Sequence, residues 1–278
     1  MKKPYVIAEI GINHNGSIDL AKILIELAKN AGCDFVKFQK RNPEICVPMN
    51  QRDVIKETVF GTIKYFDYKK KMEFGKKEFD EIDRYCKDIK MPWFASVWDE
   101  DSMEFMKGYD IPFIKVPSAC NTDLGLLKKI KESNIPVIIS TGMSTKKIID
   151  KALSILGDNV KYILHCVSTY PTPDDEMNMK SIITLKELYG KKYKIGFSNH
   201  SKNTAFLIQA LTMDAEIIEA HITLDRGMRG TDHRASIGPS GLQRFMTIKD
   251  ELIAGWGNGE LEIVKSEYPV IDKLRRIK

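Results

Sequence analysis

Eight times between residues 4 and 221 a short run rich in Val, Ile, Phe and Tyr gives way to a stretch with helical period, and this alternation restricts the chain to one class of architecture. The runs fall at 4–10, 34–39, 93–97, 113–116, 136–140, 161–166, 194–197 and 216–221. They are near-continuously apolar, as parallel strands covered on both faces are. Helical patterns follow at 18–30, 77–90, 101–107, 124–132, 145–156, 179–189, 203–212 and 240–254, the first with Leu20, Ile23, Leu24 and Leu27 on one stripe and a stop at Ala31-Gly32. Asp19, Ser144, Ser201 and Ser240 stand where N-caps are expected. Eight strand–helix units in about 250 residues is the arithmetic of a closed (β/α)8 barrel of the TIM class, here expected over residues 1–255. The rival is an open doubly wound sheet, but GxGxxG and GxxxxGK[ST] are both absent.

Two segments break the rhythm. Residues 40–76 separate the second strand from its helix and carry Pro43, Pro48, Gly61, Gly75 and the aromatics Phe60, Tyr65, Phe66 and Tyr68. A connection of that length is usually functional or disordered, and it reads as a lid or an oligomer contact. Residues 256–278 leave the repeat and read as a tail.

Charge and cysteine content narrow the class of activity. With 43 Lys+Arg against 38 Asp+Glu the formal charge is +5, a bias that suits a small anionic substrate and gives no sign of nucleic acid. No apolar run of about 18 residues occurs, so no membrane span is expected. The N-terminal apolar run breaks at Glu9, too early for a signal-peptide core. The five cysteines are odd in number and without CxxC spacing, which fits a reducing cytoplasm rather than a disulfide framework or a cysteine zinc site.

In such barrels the chemistry sits at the C-terminal ends of the strands, and polar residues gather there: Glu9 and the GINHNG run on the first; Lys37 and Gln39, alternating and therefore on one face, on the second; Ser96 and Asp99; Lys115 and Ser118; Ser140; His165, Ser168 and Tyr170; Ser198 and His200; Glu219 and His221, with Asp232 and His233 beyond. All five histidines fall in or just after a strand. Lysine is seldom buried without a partner, so Lys37 and Lys115 suggest binding of phosphate or carboxylate, a Schiff-base lysine, or side chains that merely reach out past the strand ends. His200 and His221 end neighbouring strands about 4.8 Å apart and can converge on one metal ion, with Glu9 or Asp232 and water completing a shell suited to Mn, Fe or Zn; satisfied core histidines are the other reading. Glu9, Glu219 and Asp232 are the candidate acids and bases.

In order along the chain, AEIGINHNG (8–16), CDFVKFQK (33–40), FIKVPSACN (113–121), ISTGMST (139–145), HCVSTYPTP (165–173), IGFSNH (195–200), EAHIT (219–223) and RGTDHRASIGP (229–239) resemble the N-acetylneuraminate (sialic acid) synthase family. The resemblance runs from about residue 4 to about 255 and implies a TIM-barrel, phosphoenolpyruvate-dependent C–C bond-forming transferase. Such an enzyme condenses phosphoenolpyruvate with N-acetylmannosamine or a related aldose, with a divalent metal, typically manganese. It implies His200 and His221 as metal ligands. Lys37, Lys115, Ser118, Ser140, Ser168 and Ser198 match positions holding the phosphate and carboxylate, and Glu9, Gln39, Tyr170 and Asp232 match positions facing the sugar or the reacting atoms. Glu9 and Asp232 are then the expected proton carriers, and a homodimer is compatible with the resemblance.

Two departures from the family pattern stand out. Family members often carry a Glu just after the fourth-strand Ser, where this chain has Ser118-Ala119-Cys120-Asn121, so a base assigned there has no counterpart. The C-terminal antifreeze-like domain is also expected to be lacking. Alternatives within reach of the same residues are a related 3-deoxy-sugar-acid synthase, a Schiff-base aldolase acting through Lys115 or Lys37, and a catalytically inactive barrel that serves as a binding partner.

Overall fold

The eight apolar runs pair edge to edge into a ring. In the computed structural model, which describes residues 2–277, β1 (Tyr5–Gly11) leads into α1 (Ile18–Ala31), and β2 (Phe35–Lys40) into the long connection. That connection has its own structure: α2 (Pro43–Cys46), α3 (Met49–Arg52), an antiparallel hairpin of β3 (Ile55–Thr58) and β4 (Gly61–Lys64), and α4 (Tyr65–Met72). After α5 (Lys76–Asp88) the alternation resumes with β5 (Trp93–Val97) and α6 (Glu100–Met106), then β6 (Ile114–Val116) and α7 (Leu124–Glu132). Next come β7 (Val137–Ser140) and α8 (Lys146–Leu156), then β8 (Val160–His165) and α9 (Ser181–Tyr189). The last units are β9 (Lys194–Asn199) with α10 (Ala205–Thr212) and β10 (Ile217–His221) with α11 (Pro239–Gly255). A further helix, α12 (Tyr268–Leu274), lies in an exposed C-terminal stretch. The ring closes in the order β1-β10-β9-β8-β7-β6-β5-β2, all pairs parallel. This is the (β/α)8 barrel that the alternation implies. Met1 and Lys278, at the two ends of the expected barrel and tail, lie outside the described residues.

The helices begin within two residues of expectation, but their capping residues differ. Ser17, not Asp19, caps α1, its hydroxyl accepting from the Leu20 amide at 3.2 Å. Thr145 replaces Ser144 at the start of α8, and Thr204 replaces Ser201 at α10. At α11 the cap is Gly238, because Pro239 has the φ of a first helical residue and no amide to satisfy. Ser201 is drawn elsewhere: its hydroxyl donates to Asp174 at 3.1 Å.

The two ends of the barrel have opposite character. Near the strand starts, Phe35, Phe94 and Phe113 pack mutually edge to face at 5.7–5.9 Å, joined by Tyr5 at 5.4 Å and Tyr162 at 5.8 Å. This arrangement suits the ring quadrupoles and plugs the floor. The helices pack on the outer face of the ring, where Phe38 meets Phe79 and Trp93. At the strand tips the side chains become polar. The 40–76 segment is seated over that end by a small separate cluster, Tyr68 and Met72 against Ile12, with Phe60, Ile63 and Tyr65 around them. Among the described residues no helix is long and apolar enough to cross a membrane.

Candidate active site

Strand register sets the inner cluster. Glu9 pairs in register with Lys37 on one side and His221 on the other, Gln39 with Ser96, Ser96 with Lys115, and Ser198 with Glu219. Since barrel residues alternate in and out, these side chains surround one cavity of about 110 Å³ at the strand tips. Of the twelve residues to which the family resemblance assigns roles, eleven line it: Glu9, Lys37, Gln39, Lys115, Ser118, Ser140, Ser168, Tyr170, Ser198, His200 and His221. The twelfth, Asp232, lies above, in the wall of an outer chamber of about 1010 Å³. It approaches the cluster through His221, whose Nδ1 is 3.7 Å from Asp232 Oδ2.

At the centre are two carboxylates and two ammonium groups, all at most 3% exposed. Lys37 Nζ is 2.8 Å from Glu9 Oε2 and 3.6 Å from Glu219 Oε2, and Lys115 Nζ is 3.4 Å from Glu219 Oε1. Ser198 donates to Glu219 at 2.9 Å, and Gln39 donates to Glu9 at 2.9 Å. Burial alone would lower Lys37, but Glu219 and Glu9 outweigh it and raise its pKa. Lys115, more loosely paired and beside Lys37, is lowered by burial. Burial also works against the charge on Glu219, yet Lys115, Lys37 and His221 bring it down to about 2, so it is a carboxylate at any physiological pH.

Beside this cluster is a wall of hydroxyls. Ser140 Oγ is buried with no hydrogen-bond partner. A Cβ on Gly142 would come within 2.2 Å of Ser168 Oγ and 2.9 Å of Ser118 Oγ, so the absent side chain leaves a concavity rimmed by two hydroxyls. Gly11, at φ +55°, serves the opposite corner: a Cβ there would press on Gln39 and Glu9 at 3.0 Å, the pair it leaves free to hydrogen-bond.

The imidazoles sit above. His200 and His221 have ring centroids 5.4 Å apart. His200 Nδ1 is 2.6 Å from the Val167 carbonyl, which makes it the donor nitrogen and leaves Nε2 with the lone pair, 3.0 Å from the Tyr170 hydroxyl. Burial, then the neighbouring His221, lowers His200 to about 3, so it is a neutral ring. His221 Nδ1 is buried without a hydrogen bond. Among the described residues no group of three or more His, Cys, Asp or Glu is arranged to hold a metal ion. The two imidazoles are nitrogen donors of the kind that Mn, Fe or Zn accept, the residues here that could hold such an ion. The two lysines and two glutamates of the inner cluster cancel in formal charge.

Other expected residues go elsewhere. His165 turns outward, with Nε2 2.8 Å from the Met177 carbonyl and its ring stacked on Phe197. His14 stacks on Phe74 at 3.9 Å, and His233 contacts the Thr223 hydroxyl at 2.7 Å. Where a Glu was looked for, Ala119 lines the cavity, while Cys120 is buried with Sγ 3.7 Å from the Trp98 carbonyl. The strand-tip reading passed over Arg41, which is 8% exposed, bound to Glu73 at 2.6 Å and hydrogen-bonded to Gln39. Its signal was available, since it follows directly on the second strand.

The sequence profile of the NeuB family matches residues 24–260. The chain belongs to the NeuB family. It is 35% identical over 248 residues to the N-acetylneuraminate-9-phosphate synthase of Drosophila melanogaster, covering 87% of this chain and 66% of that one. It is 33% identical to the N,N'-diacetyllegionaminic acid synthase of Campylobacter jejuni, covering 99% of this chain and 84% of the relative. It superposes on the crystal structure of the N-acetylneuraminic acid (sialic acid) synthetase from Leptospira borgpetersenii with TM-score 0.84 and 31% identity, over 99% of this chain and 94% of that one. Against the Drosophila relative the chain spans just under two thirds of the length.

Proposed function

We propose that this NeuB-family chain is an enzyme that condenses phosphoenolpyruvate with N-acetylmannosamine or a related aldose, giving a nonulosonic acid and inorganic phosphate. The observation that carries this reading is the inner cavity itself: two buried lysines flank Glu219 in a cavity also lined by the unpartnered Ser140 hydroxyl and by Ser118 and Ser168. Ammonium groups and hydroxyl donors on one wall suit a ligand with both a phosphate and a carboxylate. The relatives named as synthases of sialic and legionaminic acids support the product class.

In this reading Lys37 and Lys115 hold the two anionic groups of phosphoenolpyruvate, and Ser118, Ser140, Ser168 and Ser198 supply hydroxyls around them. His200 and His221 would hold a divalent cation, manganese in our proposal, which would polarise the aldehyde oxygen. The enol carbon bonds to the aldehyde carbon, water adds at the carbon that bears phosphate, and that carbon–oxygen bond then breaks to release phosphate. Glu9, fixed by Lys37 and Gln39, takes the proton from water. Asp232 lies on the sugar side, held below the usual carboxylate range by His221, the Thr231 hydroxyl, Lys69 and Arg41 against the effect of burial. Tyr170, common to both cavities, lies between the two substrates. We place the enzyme in the cytoplasm, in keeping with five unpaired cysteines.

The decisive experiment measures phosphate release. It should require phosphoenolpyruvate and an aldose together, stop with EDTA and return with manganese. His221→Ala should lose metal and turnover together. Absence of release across hexosamines, pentoses and their phosphates would remove the reading. The lowered pKa of Lys115 favours one rival, a Schiff-base aldolase; a pyruvate adduct trapped on Lys115 by borohydride would establish it.

A further inference from the structure

A string of polar contacts runs from the 40–76 segment into the inner cavity, and the proposed reaction uses only its last members. It begins at Glu73, the residue after α4, whose side chain is 8% exposed. Arg41, directly after β2 and likewise buried, binds it twice: Nε is 2.6 Å from Oε1, and the backbone amide donates to Oε2 at 3.3 Å. The guanidinium lies over the Trp98 ring, 5.0 Å from its centroid, and Nη2 donates to Gln39 Oε1. Gln39 Nε2 in turn donates to Glu9 Oε1 at 2.9 Å, and Glu9 Oε2 meets Lys37 at 2.8 Å. Arg41 itself lines neither the inner cavity nor the outer chamber, so it acts on the site through its neighbours.

An amide has donors at one end and an acceptor at the other. Between a guanidinium, which only donates, and a carboxylate, which only accepts, Gln39 has one orientation that satisfies both ends. Without the guanidinium the amide carbonyl loses its donor, and the side chain is free to turn away from Glu9. Lysine is no substitute, because Arg41 meets Glu73 and Gln39 with two different nitrogens of one rigid plane. We infer that Arg41 is a positioning residue for Glu9: anchored to the 40–76 segment by Glu73, it sets the Gln39 amide that fixes the carboxylate. This role rests on the proton transfer assigned above to Glu9, and it makes that transfer depend on the seating of the segment.

The test uses the full chain with manganese, phosphoenolpyruvate and whichever aldose supports phosphate release. Arg41→Met should lower kcat about tenfold, since a displaced base loses rate rather than affinity. The KM for phosphoenolpyruvate should stay within about twofold of the parent value. Arg41→Lys, which keeps a cation for Glu73, should lose nearly as much rate. Gln39→Leu alone should also lower kcat, and combining it with Arg41→Met should cost nothing more. Crystal structures of Arg41→Met and Arg41→Lys should show Gln39 withdrawn from Glu9 with the fold intact. Full activity in Arg41→Lys would reduce Arg41 to a charge partner for Glu73 and overturn the inference. Additive losses in the double variant, or a Gln39–Glu9 contact preserved in both crystal structures, would do the same. Phosphate release untouched by either Arg41 substitution would sink the positioning role and spare the condensation. If the parent releases no phosphate with any aldose while Gln39 leaves Glu9 in the variants, the condensation falls and the positioning of Glu9 stands.

Discussion

Gly142 shows how much of this site depends on a missing atom. Any side chain there would displace Ser168 Oγ and crowd Ser118 Oγ and Cys166 Sγ. Hydroxyls can rotate away, so Gly142→Ala should fold, but only by giving up the concavity. In our reading its KM for phosphoenolpyruvate rises at least about tenfold, a loss on the order of 1.4 kcal/mol, while manganese affinity is unchanged. Steady-state kinetics with an equilibrium metal titration checks this; an unchanged KM would place the phosphate elsewhere. The same scale shows what the amino-acid order does and does not disclose. Lys37, Lys115, Glu9 and Glu219 stand out in sequence because charge inside an apolar strand calls for a partner, and the structure supplies those partners to one another. His165 and His200 look alike in sequence, each at the end of an apolar run, yet one turns outward to the Met177 carbonyl and the other lines the cavity. In strands covered on both faces hydrophobicity does not mark the parity. Lys69 is harder still, since Lys69-Lys70-Lys71 reads as a solvated run, and only packing against Tyr65 and Tyr68 reveals one member as buried.

At the level of elements, strand positions follow from local composition to within a residue or two, because each run must fill one rung of the ring. Helix starts follow to within two residues as well, while the capping residues differ: Pro239 and the Ser201–Asp174 contact override the nearest candidate. The 40–76 segment resists reading because its short elements bury little against the main core. They lean on Ile12 instead, through contacts distant in sequence. That weak attachment makes the hairpin removable. Replacing residues 55–64 with a short Gly-Ser linker opens the chamber wall formed by Lys56, Glu57, Thr58 and Val59. The KM for the aldose should rise about tenfold or more, with the KM for phosphoenolpyruvate nearly unmoved. Initial-rate measurements with each substrate varied in turn decide it, and an unaltered aldose KM would detach this segment from sugar binding.

For the molecule as a whole, the two ends of the barrel divide the labour. The aromatic floor supplies packing; the polar mouth is a net burden on stability, and Lys69 makes part of that burden measurable. Its pKa falls from 10.5 unfolded to about 8 folded, so the folded state binds fewer protons between those values and stability rises with pH across that window. Below pH 8 the full handicap applies, on the order of 3 kcal/mol. Lys69→Met should therefore raise the urea midpoint at pH 7, and the advantage over the parent should shrink as pH approaches 10.5. A variant no more stable at pH 7 would show that the ammonium is already compensated.

The plugged floor has one more consequence. With Phe35, Phe94 and Phe113 sealing the far end, traffic through the barrel is one-way-in, same-way-out. Whatever lodges deepest arrives first and departs last, and a guest seated behind Tyr170 waits for the doorway to clear.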